Sequence, residues 1–284
     1  MSTAKPTIAI LHYTSPPVIG GVEAVINAHT RIFMQMGYPV VVIAGQGSKK
    51  ALPPGCKIII IPEIDSQYPD ILAASAILDQ GEIPDTFHSL MQRLLASLGP
   101  LLPRFDNLIV HNVFTKHFNL PLTAALWALL DNGAINNCIG WHHDFTWTSP
   151  RSRSKVHEGY PWDLLRTYRS DMTQVTISQQ RKKELLGLYN CPDEAIHVIY
   201  NGVDAAQIFG LTAESSSLVE KLELLTVDLI LLMPVRVTKA KNIEYALDVV
   251  AAMKSAGVKV KLVLTGPPDP HDKKSMDYFR SLQE

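Results

Sequence analysis

The 284-residue sequence lacks an excess of either charge: 26 lysines and arginines stand against 27 aspartates and glutamates, for a net charge of −1. Proteins dedicated to nucleic acids usually carry a basic excess that follows the phosphate backbone. We therefore expect no nucleic-acid partner. Hydrophobic residues make up 46% of the chain, which is typical of a folded globular protein and excludes general disorder.

The sequence also lacks an apolar run of the roughly 20 residues that cross a bilayer. Its longest candidate is residues 229–235, which is the length of a strand. The short apolar stretch near the N-terminus has no basic flank, unlike a secretory signal. We therefore expect a cytoplasmic protein, and attachment to a membrane surface through a small basic or apolar patch stays open.

Cysteine is scarce, and no pattern of metal ligands is visible. Cys56, Cys138 and Cys191 are widely spaced, as expected of reduced, buried thiols in the cytosol. His142 and His143 are adjacent and would point to opposite sides of an extended segment. We therefore expect no zinc site.

The chain is organised around residues 8–36. An apolar strand at 8–11 leads into a loop that contains Gly20 and Gly21, and apolar residues at helical spacing follow as far as Gly37. His29 lies on this stripe and is expected to be a core histidine. Paired glycines leave backbone N–H groups open at the positive end of the helix dipole. The corner therefore predicts a phosphate site, with a simple sharp turn as the alternative.

Strand and helix patterns alternate along the rest of the chain. Strands are predicted at residues 40–44, 58–61, 108–110, 137–141, 175–177 and 196–199, and helices at 86–98, 120–130, 162–168 and 180–188. Apolar strands separated by helices indicate a parallel sheet that is covered on both faces. We therefore predict an α/β fold with a complete doubly wound domain over residues 1–203.

The pattern restarts after a segment of weak periodicity at 205–217, which indicates a linker. Strands at 229–234 and 259–265 and helices at 243–256 and 273–282 follow. Two strands are too few for a complete parallel sheet. We therefore predict a linker and an incomplete second domain over residues 204–284.

Ligands of such sheets bind beyond the carboxyl ends of the strands. His111 and Asn112 follow the fourth strand, and the His142-His143-Asp144 segment follows the fifth. His111 could bind a ligand or only hydrogen-bond to a loop. We take His111 and Asn112 as candidates for contact with an acceptor molecule.

Two clusters of basic residues lie near predicted strand ends. Arg151 and Arg153 lie in a loop that is either a solvated surface or part of the acceptor site. In the second domain, Arg236 and Lys241 precede the start of a helix. Cations beside a helix N-terminus predict a second anion site.

Four features, in order, carry a resemblance to a known family. They are Gly20-Gly21-Val22-Glu23 after the first strand, His143-Asp144 after the fifth, Asn201-Gly202-Val203-Asp204 at the end of the first domain, and Arg236 with Lys241-Asn242 in the second. Together they resemble a retaining glycosyltransferase of the double-Rossmann (GT-B) fold, similar to glycosyltransferase family 4. The resemblance implies transfer of a hexosyl group from a nucleotide-sugar donor to an acceptor, as in carbohydrate biosynthesis.

The resemblance also assigns roles to individual residues. Gly20 and Gly21 on one side, and Arg236 and Lys241 on the other, would bind the donor diphosphate. His143, with His142 as the fallback, would contact the donor sugar near the reacting carbon. The acceptor is an unidentified sugar, lipid or small molecule. We expect no metal or cofactor, because the cations would stabilise the departing diphosphate.

The sequence departs from the family pattern in its second domain. The family has two glutamates, with seven residues between them, late in that domain, and this sequence ends before that region. Pro267 and Pro268 also remove backbone N–H donors from a loop that is usually rich in glycine. We therefore expect a truncated form that is inactive by itself.

Two other functions are considered for the same sequence. One is a non-catalytic module of this fold that binds a sugar, a nucleotide or a partner. The other is a sugar-nucleotide epimerase, which would explain the anion sites but not the basic loop. The sequence indicates neither the donor, the acceptor nor the oligomeric state.

Overall fold

The computed structural model describes residues 4–268 and 273–283. Contacts divide the chain into two compact units, one that ends at Gly202 and one that begins at Val203. The acceptor-side and nucleotide-binding roles expected of the two domains stay predictions.

Within the described residues, the first unit contains a parallel sheet of seven strands. These are β1 (Ile8–Thr14), β2 (Val40–Gln46), β3 (Lys57–Ile60), β4 (Asn107–His111), β5 (Cys138–His142), β6 (Met172–Thr176) and β7 (Ile196–Val198). Their spatial order is β3-β2-β1-β4-β5-β6-β7, and neighbouring strands are parallel. The predicted α/β class is therefore confirmed, and the strand order reverses between β1 and β4.

Helices cover both faces of this sheet. They are α1 (Gly21–Gln35), α2 (Pro69–Leu78), α3 (Thr86–Leu98), α4 (Leu120–Asp131) and α5 (Gln179–Tyr189). Side chains of successive strand residues point to opposite faces. Accordingly, Ile10 packs in a cluster with Ile26 of α1, whereas Leu11 packs in a cluster with Leu94 of α3 and Leu126 of α4. Each side chain is fully buried, which contributes about 1.5–3 kcal/mol.

Three details of the first unit differ from the sequence interpretation. Helix α2 was missed, although Pro69 begins it and buried residues follow at helical spacing. The predicted helix at 162–168 is only a 3₁₀ turn at Trp162–Leu165, whose buried end residues are three apart. On α1, Ile32 and Met36 are about half exposed, so the buried stripe is narrower than predicted.

The second unit is smaller. It contains α6 (Ala205–Ile208), α7 (Ala213–Lys221), β8 (Leu229–Met233), α8 (Ile243–Ser255), β9 (Val260–Leu264) and α9 (Lys273–Ser281). In the described part of the chain, β8 and β9 form a parallel pair with no third strand, and Leu232 of β8 is 63% exposed.

The segment predicted as a linker is partly helical. Helix α7 has a capped start, because the Thr212 side chain accepts a hydrogen bond from the Ser215 N–H at 3.2 Å. Across the two described ranges, no helix is long and apolar enough to cross a membrane.

Two glycines of the first unit give opposite predictions for substitution by alanine. Gly45 lies in β2, and a Cβ there would overlap the backbone of Asp65. Gly187 is exposed within α5 and has open space around it. We expect Gly45→Ala to destabilise the first unit by about 1–3 kcal/mol, because backbone must move. Gly187→Ala should stabilise it by about 0.5–1 kcal/mol through helix propensity.

Urea unfolding followed by tryptophan fluorescence measures both effects. The four tryptophans, Trp127, Trp141, Trp147 and Trp162, precede Gly202, so the signal reports the first unit alone. Equal midpoints for the two variants would contradict the packing described at Gly45.

Candidate active site

A cavity of about 300 Å³ opens at the carboxyl ends of β1 and β4. Its wall includes Thr14 at the end of β1, Gly21 and Glu23 at the start of α1, and Asn112 and Lys116 after β4. This is the place where the strand order reverses, and doubly wound sheets bind their ligands at such a place. A larger cavity of about 590 Å³ lies at the amino ends of β2 and β3, and none of the described residues that line it is a predicted site residue.

The start of α1 carries a carboxylate as well as open backbone groups. Gly20 is the N-cap and gives no side-chain cap, so backbone N–H groups remain at the helix start. Glu23 folds back over this corner, since a Cβ at Gly20 would overlap its carboxylate. The same carboxylate accepts a hydrogen bond from the Thr14 hydroxyl and lies 3.8 Å from His12 Nε2. A phosphate at Gly20 and Gly21 would therefore share the helix end with Glu23.

His143 and His111 form a buried hydrogen-bonded pair. His143 Nε2 lies 3.0 Å from His111 Nδ1. Burial lowers the pKa of His143 to about 4 and holds the pKa of His111 well below its ordinary value. Both rings are therefore neutral near pH 7, and one donates its N–H to the other. His111 is fully buried, and neither His111 nor His143 is part of the cavity wall, although Asp144, the residue after His143, is.

His142 points away from this pair. Its Nε2 lies 2.8 Å from Gln174 Oε1 on β6, and its ring packs against Tyr189 of α5. The expectation that His142 and His143 face opposite sides is therefore confirmed. Burial lowers the pKa of His142 to about 4, so this histidine is also neutral near pH 7. His142 does not line the cavity.

Asn112 connects the ends of β4 and β5. Its backbone is left-handed, with φ of 61°, a conformation that Asn tolerates better than most residues. Its Oδ1 accepts hydrogen bonds from the N–H of His143 at 2.8 Å and of Asp144 at 3.3 Å. Asn112 therefore both lines the cavity and fixes the backbone of the predicted site residue His143 and of Asp144.

Two further residues of this region were missed by the sequence analysis. Lys116 lines the cavity and is only 9% exposed. Arg181 of α5 pairs with Asp144 at 2.7 Å and so holds that carboxylate beside the cavity. Lys116 lies in the sequence Phe114-Thr115-Lys116-His117 after β4. A single lysine in a loop gives no sign, in the sequence, that it is buried.

The loop that contains Arg151 and Arg153 was predicted to contact an acceptor, but neither arginine is part of the cavity wall. The Arg153 guanidinium lies 4.4 Å from the centre of the Trp147 ring and donates to the Val156 carbonyl at 3.0 Å. Arg151 is exposed. Neither arginine lines the cavity at β1 and β4, so the structure does not bring them together with Asn112.

The second unit holds the other predicted cations. Arg236 follows β8 and is exposed, and Lys241 ends a 3₁₀ turn directly before α8. The N-cap of α8, Asn242, provides no side-chain cap, so backbone N–H groups remain near Lys241. Ser275 fixes this loop by donating to the Val237 carbonyl at 2.7 Å. Among the residues that the structure describes, no group of three metal-ligating side chains could hold a metal ion.

The fold is that of a doubly wound α/β protein with a cavity at its strand ends, where the strand order reverses. Residues 19–207 match the family described as Glycosyltransferase Family 4. The chain belongs to this family.

Individual proteins are also similar to the chain. Mannosylglucosylglycerate synthase of Petrotoga mobilis is 26% identical over 151 residues, which is 52% of this chain and 34% of that protein. The chain thus spans about a third of the length of that curated relative.

Two solved structures resemble the whole chain. A glycosyltransferase from Rickettsia africae has a TM-score of 0.41 and 16% identity, over 98% of this chain and 66% of that one. WaaG, a glycosyltransferase involved in lipopolysaccharide biosynthesis, has a TM-score of 0.40 and 11% identity, over 97% of this chain and 67% of that one.

The buried histidines make the stability of the first unit depend on pH. An unfolded histidine titrates near pH 6.5, whereas burial lowers the pKa of His142 to about 4. Between these values the unfolded chain binds a proton that the folded chain does not. Above about pH 6.5 these histidines therefore do not reduce the free energy of unfolding. As the pH drops from there toward 4, that free energy falls by about 1.4 kcal/mol per pH unit for each such histidine.

His142→Gln tests this dependence. Glutamine retains an N–H donor for Gln174 but removes the titrating group, so we expect the variant to lose less stability than the natural chain between about pH 7 and pH 5. The measurement is urea unfolding by tryptophan fluorescence at each pH. His88→Gln changes an exposed histidine and should keep the natural slope. The same slope in His142→Gln would show that His142 does not titrate as its burial requires.

Proposed function

We propose that the protein containing this chain is a glycosyltransferase that moves a hexosyl group from a nucleotide-sugar donor to an acceptor with retention of anomeric configuration. Family membership supports the reaction class. The observation that carries the proposal is the His143-Asp144 segment, which Asn112 holds at 2.8 and 3.3 Å beside the cavity at the reversal of strand order. The Petrotoga mobilis relative is named a mannosylglucosylglycerate synthase, and a mannosyl group is a hexosyl group, so its name is consistent with hexosyl transfer.

The chemistry of the reaction requires charge stabilisation at two places. When the bond between the anomeric carbon and the β-phosphate oxygen breaks, the diphosphate takes the electron pair and the sugar gains oxocarbenium character. In the proposal, Arg236 and Lys241 of the second unit stabilise the diphosphate. The backbone N–H groups near Gly20 and Gly21 of the first unit are proposed to bind an anion. The acceptor hydroxyl then bonds to the same face of the sugar and transfers its proton to the departing diphosphate oxygen. Cations perform the charge stabilisation, so the proposal includes no metal.

His143 is proposed to contact the donor sugar. Its hydrogen bond with His111 engages Nε2, so Nδ1 is the ring nitrogen that we assign to the sugar. A neutral imidazole suits this position, because a cation would repel the positive charge that develops on the sugar ring. The proposed acceptor site is the cavity of the first unit, and the proposed location of the protein is the cytoplasm.

The test is a panel of UDP-, GDP- and ADP-sugars with the purified protein. We expect one nucleotide class to raise the melting temperature, and transfer to an acceptor to release the matching nucleoside diphosphate. Proton NMR of the product reports the anomeric configuration. If a nucleotide sugar binds and no acceptor is glycosylated, the protein is a binding module of the same fold.

The cations of the second unit, Arg236 and Lys241, give a prediction for donor binding. We expect Arg236→Ala and Lys241→Ala each to weaken binding of the nucleoside diphosphate by about ten- to a hundredfold, because a charged hydrogen bond contributes roughly 1.5–3 kcal/mol. Calorimetric titration measures the affinity. Lys259→Ala is the matched control, since this exposed lysine lies at the amino end of β9. Unchanged affinity in both variants would exclude these cations from the donor site.

The proposed role of His143 gives a prediction for turnover. His143→Ala should lower turnover much more than donor affinity, because the proposed contact strengthens as the sugar gains charge. Steady-state kinetics and donor titration separate the two effects, and His88→Ala serves as the control at an exposed position. Natural turnover in His143→Ala would reject the role of His143, and the same measurement would then be made for His142.

A further inference from the structure

Lys116 is a buried cation in the wall of the cavity. It is only 9% exposed, and its Nζ lies 4.8 Å from the centre of the Phe118 ring. In the parts of the chain that the structure describes, no carboxylate oxygen lies within 4.0 Å of this ammonium. Its nearby acid, Asp144, is already paired with Arg181 at 2.7 Å. Lys182 shows the usual arrangement, because its ammonium pairs with Asp193 at 2.8 Å.

The position of Lys116 is fixed by the fold. Its N–H donates to the Asn112 carbonyl at 3.0 Å, and its carbonyl accepts a hydrogen bond from the Tyr13 hydroxyl at 3.4 Å. The neighbouring Thr115 hydroxyl donates to the Asp144 carbonyl at 2.9 Å. Contacts from β1 and from the loop after β5 therefore hold this loop, and Lys116 lines the cavity.

Among the charged side chains that the structure describes in the cavity wall, Lys116 is the one that lacks a paired counter-ion. The other acid in the wall, Glu23, accepts a hydrogen bond from Thr14 and lies beside His12. A buried ammonium without a paired anion is unfavourable, and burial lowers the pKa of Lys116. An anion in the cavity would complete the pair. A volume of about 300 Å³ is sufficient for a small ligand that carries such a group.

We propose that Lys116 binds the anionic group of the acceptor, so that the acceptor is a carboxylated or phosphorylated molecule and not a neutral sugar. The identification of this anionic molecule as the acceptor rests on the proposed function. The anion site itself does not, because it follows from the burial of Lys116 and the pairing of the surrounding acids.

The experiment measures anion binding to the full chain without any donor. Inorganic phosphate and acetate are the anionic probes, glycerol is the neutral probe, and amide NMR shifts of residues 112–118 report binding. We expect phosphate or acetate to shift these amides to saturation, and the stronger of the two to indicate whether the group is a phosphate or a carboxylate. Glycerol should cause no comparable shift.

Variants assign the binding to the ammonium. Lys116→Met keeps the length and the contact with Phe118 but removes the charge, and it should weaken anion binding by about ten- to a hundredfold. Lys116→Arg should retain binding, and Lys182→Met should bind like the natural chain. Natural affinity in Lys116→Met, or equal shifts with glycerol, would overturn the proposal. Tryptophan fluorescence shows whether each variant is folded.

Failure of this inference can be distinguished from failure of the proposed function. If the chain binds phosphate through Lys116 but the protein binds no nucleotide sugar, the anion site stands and the glycosyltransferase proposal fails. If the protein binds a nucleotide sugar while Lys116→Met leaves anion binding unchanged, only the present inference fails. In an active protein, Lys116→Met should raise the KM for an anionic acceptor about tenfold or more and leave donor affinity unchanged.

Discussion

The candidate site depends on the side-chain oxygen of Asn112, which accepts hydrogen bonds from two consecutive backbone N–H groups after β5. Parallel strands carry no hydrogen bonds beyond their last paired residues, so the loops after β4 and β5 need another connection. Asn112 supplies it from a left-handed backbone with φ of 61°. This connection fixes the backbone at His143 and Asp144, while His111 and Arg181 fix the two side chains.

Much of the fold could be predicted from the sequence, because apolar periodicity reflects burial directly. Helix α3 was predicted at residues 86–98 and runs over Thr86–Leu98, and each strand of the first unit lies within a few residues of its predicted position. Helix α2 was missed because its mixture of small and apolar residues has no strong amphipathic pattern. The segment 205–217 was predicted to be a linker because its periodicity is weak and its residues are small and polar, yet α7 forms there with a start that the Thr212 side chain caps.

The site was less accessible to prediction, since its properties come from tertiary contacts. The opposite directions of His142 and His143 follow from strand geometry and could be predicted. The partner of each ring could not, because His111 and Gln174 are far from them in sequence. For the same reason a lysine at position 116 looks like a surface residue until the loop is folded. Its burial depends on bonds to β1 and to the loop after β5.

The reversal of strand order also has a consequence for the order of folding. β1 pairs with β4 through Ile8 and Asn107, which are about 100 residues apart, whereas β8 pairs with β9 through Leu229 and Val260, about 30 apart. Closing the longer loop costs roughly 1 kcal/mol more chain entropy, and distant pairings slow folding. The cavity lies at the junction of β1 and β4, so its walls come together only after the long loop has closed. We therefore expect a place for a ligand to form later in folding than the pairing of β1 with β2, whose partners Ile8 and Val40 are about 30 residues apart.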